Sequence, residues 1–206
     1  ETIGKYGRIR LAQFYQRDWD QALLVEYPDP LQLVMFFAKH PEINIIMQYA
    51  SYDISTLQAQ TGSRFIPHTF NDTFLLARLA LPHLDEYGLD ALIAYALDGK
   101  DPYKEASINK ADMHKANWKE VVLDYKKLLY AAIDVYYLFE LYDKVKNHEE
   151  SLCYKLDIFA LRSALDFQNN GMPVDDERVE ERYRNNLVEI ESYNMPINVN
   201  SYKQMK

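Results

Sequence analysis

The sequence predicts an α/β domain followed by an all-helical segment, and three observations carry this. Residues 8–16, 22–27 and 43–47 are short runs of alternating or wholly apolar character, interleaved with helical patterns. From residue 124 onward every periodic stretch has helical spacing. The change of texture falls near residue 147, so the expected domains are 1–147 and 148–206.

Residues 8–16 (RIRLAQFYQ) alternate apolar and polar side chains, the period of a half-buried strand. Asp18 suits the turn into a second, buried strand at 22–27 (ALLVEY). Pro30 at a first helical position opens a helix through Lys39, and Pro41 stops it. The run 43–47 (INIIM) is a third buried strand, followed by a helix over 51–60. Residues 64–70 form a connector or a strand. Asp72 caps a helix running through Leu79, which Pro82 ends. A short helix covers 89–97, and 100–119 is polar and irregular. One long helix with an apolar face is expected over 124–146 and a break at 148–151. A second long helix over 152–169 is closed by Asn170-Gly171, and a charged helix runs from Asp175-Asp176 to about Tyr193.

Composition narrows the function. With 206 residues, 48% of them hydrophobic, the chain can bury a core of its own. Its 23 basic against 31 acidic residues give a net charge of −8. That is not the basic footprint of a protein that grips DNA or RNA by charge alone. Carboxylates can still meet phosphates through metal ions. The single cysteine, Cys153, rules out an internal disulfide framework and a cysteine zinc site, and it fits a reducing compartment. No apolar run reaches membrane-spanning length, and residues 1–10 lack the apolar region of a signal peptide, so no membrane partner is expected. The opening at Glu1 and the polar close at Lys206 lead us to expect a fragment of a longer protein.

The chemistry gathers around four side chains. Tyr130 and Asp134 stand four residues apart in a helical stretch, hence on one face. A tyrosine that orients a water and a carboxylate that holds a metal make half of a hydrolytic site. Asp53 follows the buried strand at 43–47, and Glu1 precedes the first strands. Acids on strand ends and helix faces can converge above a sheet, and an oxygen-only set suits Mg²⁺ or Mn²⁺. Two such ions about 4 Å apart activate a water and stabilise the leaving oxygen of a phosphodiester. Taken singly, each residue has a plainer reading. An acid after a strand commonly caps a helix, and a Tyr-x-x-x-Asp pair is common on helices. The five histidines are scattered without ligand spacing. The aromatic stripe Tyr136, Tyr137, Phe139 and Tyr142 reads as core packing rather than a base-stacking platform.

Taken together, these segments resemble the 3′–5′ exonuclease domain of family A DNA polymerases, of the DEDDy type, a group that includes ribonuclease D. Glu1-Thr2 followed by Arg8-Ile9-Arg10-Leu11-Ala12-Gln13 resembles the end of the first motif, Asp-x-Glu-Thr, and its following strand. Gln48-Tyr49-Ala50-Ser51-Tyr52-Asp53 resembles the second motif, (H/Q)NxxFD. Asn71-Asp72-Thr73 through Leu79 resembles the helix after it. Residues 110–118 and 129–141 resemble the third motif's run from a lysine through "DW" to "YAA-DV-YL". The match covers residues 1 to about 146. Residues 159–175 resemble the segment that follows the exonuclease in these polymerases, and 196–204 resemble an element of the thumb. Ribonuclease D carries a different helical domain there.

The resemblance implies a ribonuclease H-like mixed sheet flanked by helices, then a helical lead into a polymerase thumb. It implies that Glu1 and Asp134 hold the metal carrying the attacking water, with Asp53 serving a second ion mainly from its outer shell. Tyr130 would orient the water. Gln48 and Tyr52 would touch the terminal nucleotides, and Thr2 would offer its backbone to the terminal sugar. The expected cofactors are two Mg²⁺ or Mn²⁺ ions. The expected partners are a single-stranded or frayed DNA 3′ end and the palm, fingers and thumb of the same polymerase. The expected place is the cytoplasm of a bacterium or phage-infected cell, with an organelle left open. Two departures stand out. The first motif's aspartate would precede Glu1 by two residues, so this stretch alone is expected to be nearly inert. Tyr49 replaces the second motif's asparagine. The competing expectations are a ribonuclease D-like RNA exonuclease and an inactive exonuclease-like scaffold.

Overall fold

The computed structural model describes residues 8–118, 122–171 and 174–192. The chain divides into two compact units between Asn169 and Asn170. In the first unit, β1 (Leu11–Phe14) and β2 (Leu23–Glu26) pair antiparallel, with Leu11 opposite Glu26 and Phe14 opposite Leu23. Helix α1 (Pro30–Lys39) starts as its sequence dictates: Asp29 Oδ1 accepts the Leu31 N–H at 2.9 Å, and Pro30 fills the first turn. Strand β3 (Asn44–Met47), helix α2 (Ala50–Thr61) and strand β4 (Thr69–Asp72) form a β-α-β unit with the strands parallel, Asn44 facing Thr69 and Met47 facing Asp72. Helix α3 (Thr73–Ala80) follows β4 directly, with Asp72 as its N-cap.

The rest of this unit is helical. It comprises α4 (Leu89–Ala96), α5 (Pro102–Glu105), α6 (Lys110–Lys115), α7 (Tyr125–Tyr136), α8 (Leu138–Val145), a 3-10 turn at Lys146–His148, and α9 (Leu152–Asn170). Three apolar clusters hold it together. Leu76, Leu92, Leu141 and Val145 bind α3, α4 and α8. Ala50, Ile54, Phe70 and Leu165 bind α2, β4 and α9. Ile93, Tyr103, Ile108 and Ile133 bind α4, α5 and α7. Fully burying one such aliphatic side chain contributes about 1.5–3 kcal/mol, so these clusters outweigh four-residue strands as the source of stability. In the second unit the described element is α10 (Asp176–Ser192), with no buried residue; Asp175 Oδ1 accepts the Arg178 N–H at 3.0 Å at its start. The thumb-like stretch at 196–204 lies outside the described residues.

Three expectations need correction and a fourth needs new bounds. The single mixed sheet is, among the described residues, two separate two-stranded ladders, one antiparallel and one parallel. Residues 64–70, expected as a connector or a strand, hold some of each, but the strand begins only at Thr69 and runs past 70 to Asp72, where β3 offers its partners. The segment at 100–119 is not irregular. Asp101 caps α5 with Pro102 in its first turn, and Asn109 caps α6. The helix over 124–146 is broken at Tyr137, whose backbone sits at φ −92° and ψ 7°. The break re-phases the apolar face. Ile133 of α7 packs with the α4–α5 cluster, whereas Leu138, Leu141 and Val145 of α8 pack with the α3–α4 cluster.

By packing, α9 goes with the first unit. Tyr154, 4% exposed, donates its hydroxyl to Asn71 Oδ1 and accepts the Asp72 N–H, both at 2.9 Å. Arg162 donates to the carbonyl oxygens of Pro67 and His68 at 3.2 and 3.1 Å.

Candidate active site

Helix α2 carries the second motif, and its start is unusual. Tyr49 sits at φ 61°, ψ 56°, left-handed backbone that a bulky residue adopts at a cost of about 1–2 kcal/mol. Its ring stacks edge-on against Phe74 at 5.4 Å, a contact worth about 0.5–1.5 kcal/mol, which largely offsets that cost. Tyr49 makes no side-chain cap. Asp72 does the capping from β4: its Oδ1 accepts the Tyr49 N–H at 3.0 Å and its Oδ2 the Ala50 N–H at 2.9 Å. The same Oδ1 accepts the Phe74 N–H at 2.9 Å, so one carboxylate closes the N-termini of α2 and α3. This places Gln48, Tyr49 and Tyr52 in the lining of a cleft.

The cleft has a volume of about 700 Å³. Gln48 and Tyr52, Asp90 and Lys110, and Tyr130 and Asp134 of α7 are all in its lining. Gln48 is held by two neighbours: its amide donates to the Tyr87 carbonyl at 3.4 Å, and its oxygen accepts the Thr73 hydroxyl at 2.6 Å. Tyr52 is exposed. Thus four residues proposed from sequence, in two groups about eighty positions apart, share one cleft. Asp53, beside Tyr52 on α2, is not in that lining. Glu1 and Thr2 lie outside the described residues.

Asp134 accepts the Tyr103 hydroxyl on Oδ1 at 2.6 Å. Burial pushes the Asp134 carboxyl up to about 6. The Tyr103 hydrogen bond and the Lys110 charge pull it down, and the Asp90 charge pushes it up again. Tyr130 is pushed well above an ordinary phenol by burial and by the charges of Asp134 and Asp90, so it stays protonated at neutral pH. Asp53 is exposed as a residue, yet protein atoms crowd its carboxyl. That crowding, with the Asp72 carboxylate nearby, pushes it up to about 7. Asp90 pairs with Lys110 at 3.2 Å; burial pushes its carboxyl up, but the lysine charge prevails and the net shift is downward.

Sequence reasoning did not single out Tyr103, Asp90 or Lys110 as site residues. Asp90 reads as an ordinary first-turn acid of α4. Lys110 is the lysine that opens the third-motif run, which was its only signal. Tyr103 lay in the stretch read as irregular, where the Asp101-Pro102 helix start was the sign available.

Residues 1–149 match the model of a family described as 3′–5′ exonuclease. The chain belongs to this 3′–5′ exonuclease family. No match is found among curated proteins. Three solved structures share the exonuclease's fold. One, described as the apo form of a nuclease, is 22% identical with a TM-score of 0.57, covering 95% of this chain and 82% of that one. Brucella melitensis NrnC is 21% identical with a TM-score of 0.57, covering 79% and 74%. The Aedes aegypti Nibbler EXO domain is 21% identical with a TM-score of 0.53, covering 75% and 78%. At these identities the likeness speaks for the fold alone. Among the described residues of the exonuclease, no helix is long and apolar enough to cross a membrane.

Exonucleases of this family generally use divalent metal ions, and the donor chemistry here fits them in kind. Asp53 and Asp134 are oxygen donors whose raised carboxyls a nearby cation would bring back into the ionised range. Among the described residues, no three histidine, cysteine or acid side chains stand close enough to hold an ion by themselves. Glu1, the third carboxylate of the expected set, falls outside them.

Proposed function

We propose that this chain is the proofreading part of a family A DNA polymerase, releasing nucleoside monophosphates from single-stranded or frayed DNA 3′ ends. The observation that supports it best is the shared cleft: Gln48 and Tyr52 from the second motif line the same cavity as Tyr130 and Asp134 from the third. In this reading Glu1, Asp53 and Asp134 hold Mg²⁺ or Mn²⁺, which supplies a hydroxide-like water at neutral pH and offsets charge on the phosphate. Tyr130 orients the water through its hydroxyl. Because its phenol is held protonated, it positions rather than abstracts. Tyr52 offers an exposed aromatic face on which a terminal base can stack, a contact indifferent to base identity. Thr2 contributes its backbone to the terminal sugar. Selectivity for mispaired ends follows because a mispair frays at lower cost than a matched end.

The test uses the intact protein with 3′-terminated oligonucleotides. Asp134→Ala should abolish Mg²⁺-dependent release of mononucleotides and leave the fold intact. Tyr130→Phe should slow release about a hundredfold, the cost of a water held out of line. A variant lacking the Asp134 carboxylate that digests single-stranded DNA at the wild-type rate would refute the assignment. Matched DNA and RNA strands decide the substrate: faster digestion of RNA would replace the polymerase reading with a ribonuclease D-like one. Mn²⁺ calorimetry that found no bound ion would leave a scaffold.

A further inference from the structure

We propose that Tyr103 is a positioning residue for Asp134, fixing the carboxylate in the one orientation that faces the cleft. The proposal rests on the reading of Asp134 as a metal-holding group. Tyr103 is 3% exposed, and its hydroxyl lies 2.6 Å from Asp134 Oδ1. That is short for a phenol hydrogen bond and suits a charged acceptor. A buried phenol needs an acceptor, and here the acceptor is the acid of the third motif.

The chain around Tyr103 is built to hold it. Asp101 Oδ1 accepts the N–H groups of Tyr103 and Lys104 at 3.0 and 3.1 Å. The Ile108 N–H closes back onto the Tyr103 carbonyl at 2.8 Å, through a left-handed Ser107 at φ 56°. The ring itself packs beside two groups that line the cleft. The Lys110 ammonium stands 5.0 Å from its centroid, and the Tyr130 ring 5.8 Å away. Tyr103 therefore touches both members of the Tyr130–Asp134 pair and the lysine beside them.

A lone aspartate on a helix can turn about two side-chain torsions, whereas ligation demands one setting. The Tyr103 donor fixed on Oδ1, with the Tyr130 hydroxyl also hydrogen-bonded to the carboxylate, selects that setting before a cation arrives. Partners of this kind typically change metal affinity by about 10–100-fold when removed. Lys110, paired with Asp90, supplies charge near the carboxylate, and Tyr103 supplies direction.

The test is Tyr103→Phe in the intact protein, which keeps the ring and removes only the hydroxyl. Mn²⁺ affinity is read by calorimetry, and the Mn²⁺ dependence of mononucleotide release alongside it. The Mn²⁺ dissociation constant and the activation constant should both rise about tenfold, while the rate at saturating Mn²⁺ returns toward wild type. A purely structural role would lower the melting temperature in EDTA without moving the metal constants. Asp101→Ala, which loosens the segment without touching the ring, should shift the constants in the same direction by less. If Tyr103→Phe does not fold, an unchanged constant in Asp101→Ala overturns the proposal. Unchanged metal constants in a folded Tyr103→Phe overturn it too, and leave the nuclease reading standing if Asp134→Ala abolishes binding. If Asp134→Ala also binds Mn²⁺ normally, that reading falls and the proposal with it.

Discussion

Asp72 is the residue on which the site's placement depends. It is 2% exposed, and its carboxylate accepts N–H groups from Tyr49, Ala50 and Phe74, joining two helix starts to the end of β4. Each cap contributes about 0.5–2 kcal/mol, so Asp72→Ala should destabilise the protein by about 3 kcal/mol, read by urea or thermal unfolding. Because Gln48 and Tyr52 flank the capped turn, the same variant should weaken oligonucleotide binding more than alanine at an exposed acid away from the proposed site, such as Asp98. Half of this role was legible. Asp72 before a helical run announces an N-cap, and the structure has it as the N-cap of α3. Its second role, capping α2 across β3, leaves no local trace because the partner lies more than twenty residues away. The catalytic candidates divide similarly. The Tyr130–Asp134 spacing is local and could be read directly, but Tyr103 reaches Asp134 only through tertiary packing.

At the scale of elements, the legible parts were those with complete local punctuation. Helix α1 has its cap, its proline and its stop within a dozen residues, and it lies where the pattern puts it. The break between α7 and α8 has no proline or glycine to announce it; it arises because the two halves serve different apolar clusters. The segment carrying α5 and α6 concealed two short helices because each is held more by its cap than by apolar periodicity. Its tightest point is Ser107, exposed and left-handed at φ 56°. Ser107→Gly should relieve that strain and raise stability by up to about 1 kcal/mol, less the extra freedom glycine gives the unfolded chain. A rise in the urea midpoint with an unchanged slope is the expected reading; a fall would mean that the serine hydroxyl matters more than the backbone.

At the scale of the whole molecule, the charges oppose one another across pH. Arg17 clasps Asp143 with two hydrogen bonds of 2.7 and 3.0 Å, and Lys146 adds a third at 2.7 Å. These partners hold the Asp143 carboxyl down at about 2. A depressed acid contributes stability that is complete above its ordinary value of 3.8 and is lost as pH falls toward 2. Asp134 and Asp53 act in the opposite sense. Their carboxyls are raised from 3.8 to about 6 and about 7, so in the metal-free protein the folded state holds more protons than the unfolded state between 3.8 and those values. Stability from these two is present below 3.8 and is lost as pH rises through 6 and 7. In EDTA, the melting temperature should therefore fall between about pH 4 and pH 7, and added Mn²⁺ should flatten or reverse the fall. Mn²⁺ affinity should rise over the same interval, because a ligating carboxylate must first lose its proton. An EDTA melting curve independent of pH would show that neither acid is perturbed.

The Tyr154 bridge bears on how much chain a working nuclease needs. The family match stops at residue 149, three positions before α9 begins. Yet the phenol of Tyr154 serves both Asn71 and Asp72, and Leu165 is 1% exposed against Ile54 and Phe70. Trimming the protein to its recognisable stretch would remove both hydrogen bonds of the Tyr154 hydroxyl and turn the apolar surface of Ile54 and Phe70 that α9 covers out to water, at about 25 cal/mol for each Å² exposed. The shortest sequence that can be recognised is thus shorter than the shortest one that can stand alone, and a protein ended at 149 should aggregate or melt well below one that continues through Asn170.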